Sequence, residues 1–186
     1  MKKILFVIGS LREKSFNRDL AVMVEGMISG RAIVEYLDYS DVPFMNQDLE
    51  FPAPEAVVAA RRCVSDADAL WIFSPEYNYS YPANLKNLID WLSRPVVQGD
   101  MKTPLCISGK KVALSGVGGK EATSKCREKL VELLSLPFIR ADVMTDIQTG
   151  IQLSDEAWAE GRMILTEEQS GELRRQMEAF LHYIGI

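Results

Sequence analysis

Five short apolar runs, each separated from the next by a stretch with helical spacing, constrain this chain more than any other feature. The runs are Ile4–Ile8, Ala32–Leu37, Ala69–Phe73, Val112–Ser115 and Phe138–Met144. They are continuous rather than alternating, the pattern of strands buried on both faces of a parallel sheet. Between them, Phe16, Leu20, Met23, Val24, Met27 and Ile28 recur at three-four spacing, as do Leu85, Leu88, Ile89 and Leu92, and later Cys126, Leu130, Leu133 and Leu134. A weaker helical pattern runs from Pro54 to Val64. The last helix presents Leu173, Met177, Phe180, Leu181 and Ile184, with Thr166 and Gln169 at capping-box spacing before it. Strand and helix in alternation predict an α/β fold: a doubly wound, five-stranded parallel sheet with right-handed crossovers and helices on both faces. At 186 residues the chain is expected to form one domain, 1–186. Residues 145–165, with Gly150, Gly161 and Trp158, carry neither pattern. That segment is expected to be irregular, either a flap near a site or an arm reaching a partner subunit.

Charge and cysteine usage narrow the function classes. A net charge of -5 argues against a surface built for nucleic acid or anionic lipid. Cys63, Cys106 and Cys126 lack the paired spacing of a zinc site and are odd in number, so neither a metal centre nor a full disulfide framework is expected. They read as small apolar residues in a reducing, cytoplasmic compartment. The apolar run after Lys2-Lys3 stops at Gly9-Ser10 and meets Arg12, Glu13 and Lys14, which reads as a strand rather than a leader. No stretch has the length of a membrane helix, and no membrane insertion is expected.

In a doubly wound sheet, ligands sit beyond the carboxyl ends of the strands where strand order reverses. Three unusual loops are predicted to meet there. The first, Gly9 to Arg18, offers the hydroxyls of Ser10 and Ser15, the Asn17 amide, the Arg12 guanidinium and free N–H groups at a helix start. These are donors a phosphate needs, although Ser15 alone also fits an N-cap and Arg12 alone a solvated charge. The loop lacks the Gly-Lys-Ser/Thr of a Walker A motif and the spaced glycines of a dinucleotide fingerprint. The second, after Phe73, crowds Tyr77, Tyr79 and Tyr81 between Pro75 and Pro82. Turns need no aromatics, so the tyrosines read either as a wall for a flat ligand or as packing of the loop on its own domain. The third, Ser115-Gly116-Val117-Gly118-Gly119-Lys120, lets backbone approach a ligand closely, or is a flexible turn.

Taken together, Gly9-Ser10-Leu11-Arg12 with Ser15-Phe16-Asn17, and Pro75-Glu76-Tyr77-Asn78-Tyr79-Ser80-Tyr81-Pro82 with Leu85-Lys86-Asn87 and Asp90-Trp91, resemble the NADPH-dependent FMN reductase family. The resemblance covers roughly residues 2 to 144. It implies a flavodoxin-like sheet of order 2-1-3-4-5, FMN as cofactor, NADPH or NADH as hydride donor, and a quinone or similar small molecule as acceptor. By position, Ser10, Arg12, Ser15, Phe16 and Asn17 would hold the FMN phosphate and adjoining chain. Pro75, Glu76, Tyr77, Asn78 and Tyr79 would lie along the isoalloxazine, and Ser115, Gly116, Gly118 and Gly119 would close the pyrimidine side. It further implies ping-pong turnover with the chemistry at flavin N5, so no catalytic side chain is expected. His182, near the end of the last helix, reads as a packing or surface residue. Family resemblance also implies a homodimer or homotetramer, and Trp91 and Trp158 read either as interface aromatics or as packing of the domain's own surface. The alternatives are an electron-carrying flavodoxin and an FMN-dependent redox sensor without turnover. A phosphoacceptor domain is excluded because Ser74-Pro75 stands where an Asp is needed, and a small tyrosine phosphatase because Gly9–Ser15 contains no Cys.

Overall fold

The computed structural model describes residues 1–186. Its sheet has the order β2-β1-β3-β4-β5, all parallel, built from β1 (Lys3–Ile8), β2 (Ile33–Tyr36), β3 (Ala69–Phe73), β4 (Lys111–Gly118) and β5 (Asp142–Val143). A sixth strand, β6 (Thr149–Gln152), pairs with the carboxyl half of β4. The fifth position is therefore an interrupted strand: Lys111 and Val112 pair with β5, and Ser115 to Gly118 pair with β6.

Successive side chains of a strand point to opposite faces, and here both faces are apolar. Ile4, Phe6 and Ile8 of β1, with Trp71 and Phe73 of β3, pack under α1 (Phe16–Ile28) and α6 (Glu167–Ile184). Leu5, Val7, Leu70, Ile72, Val112 and Leu114 pack on the other face under α2 (Glu55–Asp66), α3 (Ala83–Leu92) and α4 (Ser124–Leu134). The capping box of α6 forms as its sequence predicts: the Thr166 hydroxyl accepts from Gln169 N at 3.1 Å, and the Gln169 side chain accepts from Thr166 N at 3.0 Å.

Three expectations are corrected. The run Phe138–Met144 yields only a two-residue strand, because Arg140 takes a φ of 54° and Phe138 is exposed. Residues 145–165 are not irregular: they form β6 and α5 (Asp155–Glu160), Ile151, Ala157 and Met163 lie in the chain's own core, and Leu153 and Trp158 reach the cavity described below. Trp91 is not an interface aromatic, since it is buried and its indole N–H donates to Pro43 O at 2.8 Å.

Candidate active site

The loops after β1, β3 and β4 converge at the carboxyl edge. Gly9 N donates to Phe73 O at 2.8 Å, which draws the first loop onto the second. A Cβ on Gly9 would sit 3.0 Å from Ser74 Oγ and 3.3 Å from Pro75 Cδ, so the approach depends on glycine. From the other side, Asn84 Nδ2 donates to Gly9 O and to the hydroxyl of buried Tyr39, which itself donates to Ile8 O. The first loop is thus held in place before any ligand arrives.

Ser15 caps α1, its side chain accepting from Arg18 N at 3.3 Å. That leaves the amides of Phe16 and Asn17 at the open first turn, where the helix dipole favours an anion. Arg12 lies over the Phe16 ring, its Cζ 5.1 Å from the centroid, and pairs with no carboxylate. Ser10, nearly buried, accepts from Arg12 N at 3.3 Å. The Asn17 side chain is committed elsewhere: its oxygen accepts from Val117 N at 2.9 Å and its amide donates to Val117 O at 3.2 Å. This bidentate clamp fixes the end of β4 against α1.

Glu76 also has a structural partner. Its carboxylate accepts from Cys126 N at 2.9 Å and caps α4, whose own N-cap Thr123 is in the left-handed region and makes no side-chain cap. The next residues form a tight turn: Tyr77 and Ser80 exchange backbone hydrogen bonds, with φ of 50° at Asn78 and 59° at Tyr79. Both tyrosines of this turn, Tyr77 and Tyr79, are exposed.

Between these loops lies a cavity of about 180 Å³ lined by Ser10, Arg12, Ser15, Phe16, Asn17, Pro75, Glu76, Tyr77, Gly118 and Gly119, together with Val117, Leu153 and Trp158. Asn78 and Tyr79 stand outside it at the turn tip. Ser115 and Gly116 are not brought to it. The Ser115 hydroxyl accepts from Trp71 Nε1 and donates to Gln176 within the core, and a Cβ at Gly116 would meet Ser74 O at 2.3 Å. Sequence reasoning missed Val117, Leu153 and Trp158. The signal for Val117 lay inside the glycine-rich run, and that for Trp158 in a lone aromatic within a polar stretch. Arg127, without a carboxylate partner, donates to Ala122 O and Gln148 Oε1, and burial lowers its pKa. It ties the loop after β4 to the start of β6.

An open helix end, an unpaired arginine, two hydroxyls and a glycine backbone beside an aromatic loop are groups that suit a phosphorylated, planar ligand. Comparison with known proteins gives the family and the fold. The family model described as NADPH-dependent FMN reductase matches residues 2–154. The chain belongs to this family of flavin-dependent oxidoreductases. It is 34% identical over 175 residues to an NAD(P)H-dependent FMN reductase of Pseudomonas aeruginosa, covering 94% of this chain and 90% of that protein. With a 2-hydroxy-1,4-benzoquinone reductase of a Burkholderia species it shares 41% identity over 93 residues, about half the length of each. The solved structure of FerB, an NAD(P)H:(acceptor) oxidoreductase from Paracoccus denitrificans, superposes with a TM-score of 0.84 at 30% identity, covering 99% and 97% of the two chains.

Proposed function

We propose that this chain is an FMN-dependent NAD(P)H oxidoreductase that passes reducing equivalents to a quinone or similar small acceptor in a ping-pong cycle. The observation that carries this reading is the convergence of the three loops on one cavity whose donors suit a phosphate and whose outer side is open along Pro75–Tyr77 and Gly118–Gly119. Bound FMN would supply the hydride-transfer chemistry between a nicotinamide and the acceptor.

What the chain supplies is position and charge. The α1 amides, Ser10, Ser15 and Arg12 would hold the phosphate, with the Phe16 ring beneath Arg12 keeping the guanidinium in place. Asn17 contributes by fixing Val117, and Glu76 by fixing the second loop to α4, rather than by touching the cofactor's phosphate. The open space at Gly119, where an added Cβ would meet nothing within 4 Å, leaves backbone N–H groups free to face a ring edge that gains charge on reduction. No helix of the chain is long and apolar enough to cross a membrane. The relatives are named as quinone and FMN reductases, which favours turnover over the alternatives of an electron carrier or a sensor.

Initial rates with 1,4-benzoquinone at several fixed NADPH concentrations test this reading. Parallel double-reciprocal lines are expected. Converging lines would remove the ping-pong cycle, and no quinone-dependent NADPH oxidation would remove the reductase assignment.

A further inference from the structure

A second concavity, of about 490 Å³, lies across the Gly9–Arg12 loop from the first, over the carboxyl ends of β1 and β2. Ser10 and Arg12 line both hollows and form the ridge between them. The wall of the second is lined by Arg18, Tyr36, Leu37, Asp38, Tyr39 and Ser40, and the loop adds a second carboxylate, Glu13, beside Arg12. Arg18 lies over the Tyr36 ring, its Cζ 5.9 Å from the centroid, and joins no ion pair. That ring is anchored in turn, because its hydroxyl donates to Glu25 at 2.7 Å. The guanidinium is therefore pre-positioned with its N–H edge available.

Across the hollow, Asp38 accepts from Ser40 N at 3.1 Å and from the Ser40 hydroxyl at 2.8 Å. Those bonds, with Arg18 nearby, hold its carboxyl below the usual range, so it is an ionised acceptor at neutral pH. A bare phosphate would be repelled by this carboxylate and a plain sugar would have no use for the arginine. A phosphorylated ribose uses both, phosphate to Arg18 and the adjacent hydroxyl to Asp38.

We infer that this second hollow receives the adenosine 2′-phosphate end of NADPH, with Arg18 binding the phosphate and Asp38 the neighbouring 3′-hydroxyl. The inference rests on the first cavity holding the flavin, since the dinucleotide would run over the Ser10–Arg12 ridge to bring its nicotinamide there.

The test is calorimetric titration with adenosine 2′,5′-bisphosphate, a fragment that binds without redox chemistry, on the FMN-saturated protein and its Arg18→Ala and Arg18→Lys variants. Arg18 is exposed, so the variants are expected to fold and to hold FMN as the wild type does. The wild type is expected to bind the bisphosphate more tightly than adenosine 5′-monophosphate. Arg18→Ala is expected to weaken the bisphosphate by about tenfold or more, with partial rescue by Lys and a rise in KM for NADPH but not NADH. Equal bisphosphate affinity in wild type and Arg18→Ala, or no binding while FMN remains bound, would overturn the inference alone. Loss of FMN binding in the wild type, read from the flavin spectrum of the same sample, would overturn the flavin reading and this inference with it.

Discussion

Trp158 meets Phe16 edge-on, with ring centroids 5.3 Å apart and an interplanar angle of 77°. The contact joins α5 to the first turn of α1. It places a half-exposed indole on the wall of the cavity, with Arg12 over the same Phe16 ring. An aromatic edge contact and a cation over one ring hold that turn in place.

Replacing Trp158 with Ala removes one wall without opening the core. FMN affinity is expected to fall several-fold, the equivalent of about 1 kcal/mol, with little change in thermal midpoint. Titrating the flavin absorbance and a thermal melt read the two separately. A large loss of stability with unchanged affinity would make Trp158 a packing residue only.

Gln176 is the other support of this wall, acting through β6. It is fully buried: its oxygen accepts from the Ser115 hydroxyl at 2.7 Å and from Thr149 N at 3.0 Å, and its amide donates to Leu114 O at 2.8 Å. Gln176→Leu strands these groups and is expected to cost about 3 kcal/mol in chemical denaturation. Hydrogen exchange at Thr149 is expected to accelerate with it.

Legibility of the fold followed the strength of the local signal. Ala69–Phe73 emerges with the boundaries its sequence predicts, because it is apolar on both faces and central in the sheet. Thr149–Gln152 was not legible as a strand: it is short, half polar and at the sheet edge, and only pairing with β4 and the bond to Gln176 make it one. β4 reads as ending at Ser115 because Gly116 and Gly118 carry no β signal, yet the ladder continues to Gly118. In the site, the phosphate-type loop and Pro75–Tyr77 were readable as residue types. Whether Asn17 and Glu76 face a ligand or hold neighbouring backbone was not, since that depends on Val117 and Cys126, each at least 50 residues away in the chain. Trp91 misled for the same reason, because the cover over it comes from Pro43.

Tyr79 occupies a left-handed conformation with an exposed side chain at the second centre of a tight turn. Glycine meets no penalty there, whereas a bulky residue pays about 1 kcal/mol. Tyr79→Gly is expected to raise the thermal midpoint by a few degrees. A drop in quinone turnover in the same stabilised variant would show that the side chain is kept for the acceptor.

Burial pushes the thiols of Cys106 and Cys126 up to about 11 from 9.0. In the folded state both keep their protons at pH values where the unfolded chain has lost them. Stability from these groups is thus fully present below about pH 9 and is lost as pH rises from there through about 11. Denaturation curves from pH 7 to 11 are expected to show that decline, and Cys106→Ala with Cys126→Ala is expected to lessen it. An unchanged pH slope in the double variant would assign the decline to other groups, among them Tyr39, whose hydroxyl burial also holds protonated.

The central claim is that the cavity between the three loops holds FMN in a form that a nicotinamide can reduce. Saturating the purified protein with FMN, removing the excess and adding NADPH without oxygen tests it in one absorption experiment. Retained bands near about 370 and 450 nm that bleach on NADPH addition are the predicted result. Protein that emerges without flavin would contradict the account, and bound flavin that NADPH leaves unbleached would contradict the reductase assignment.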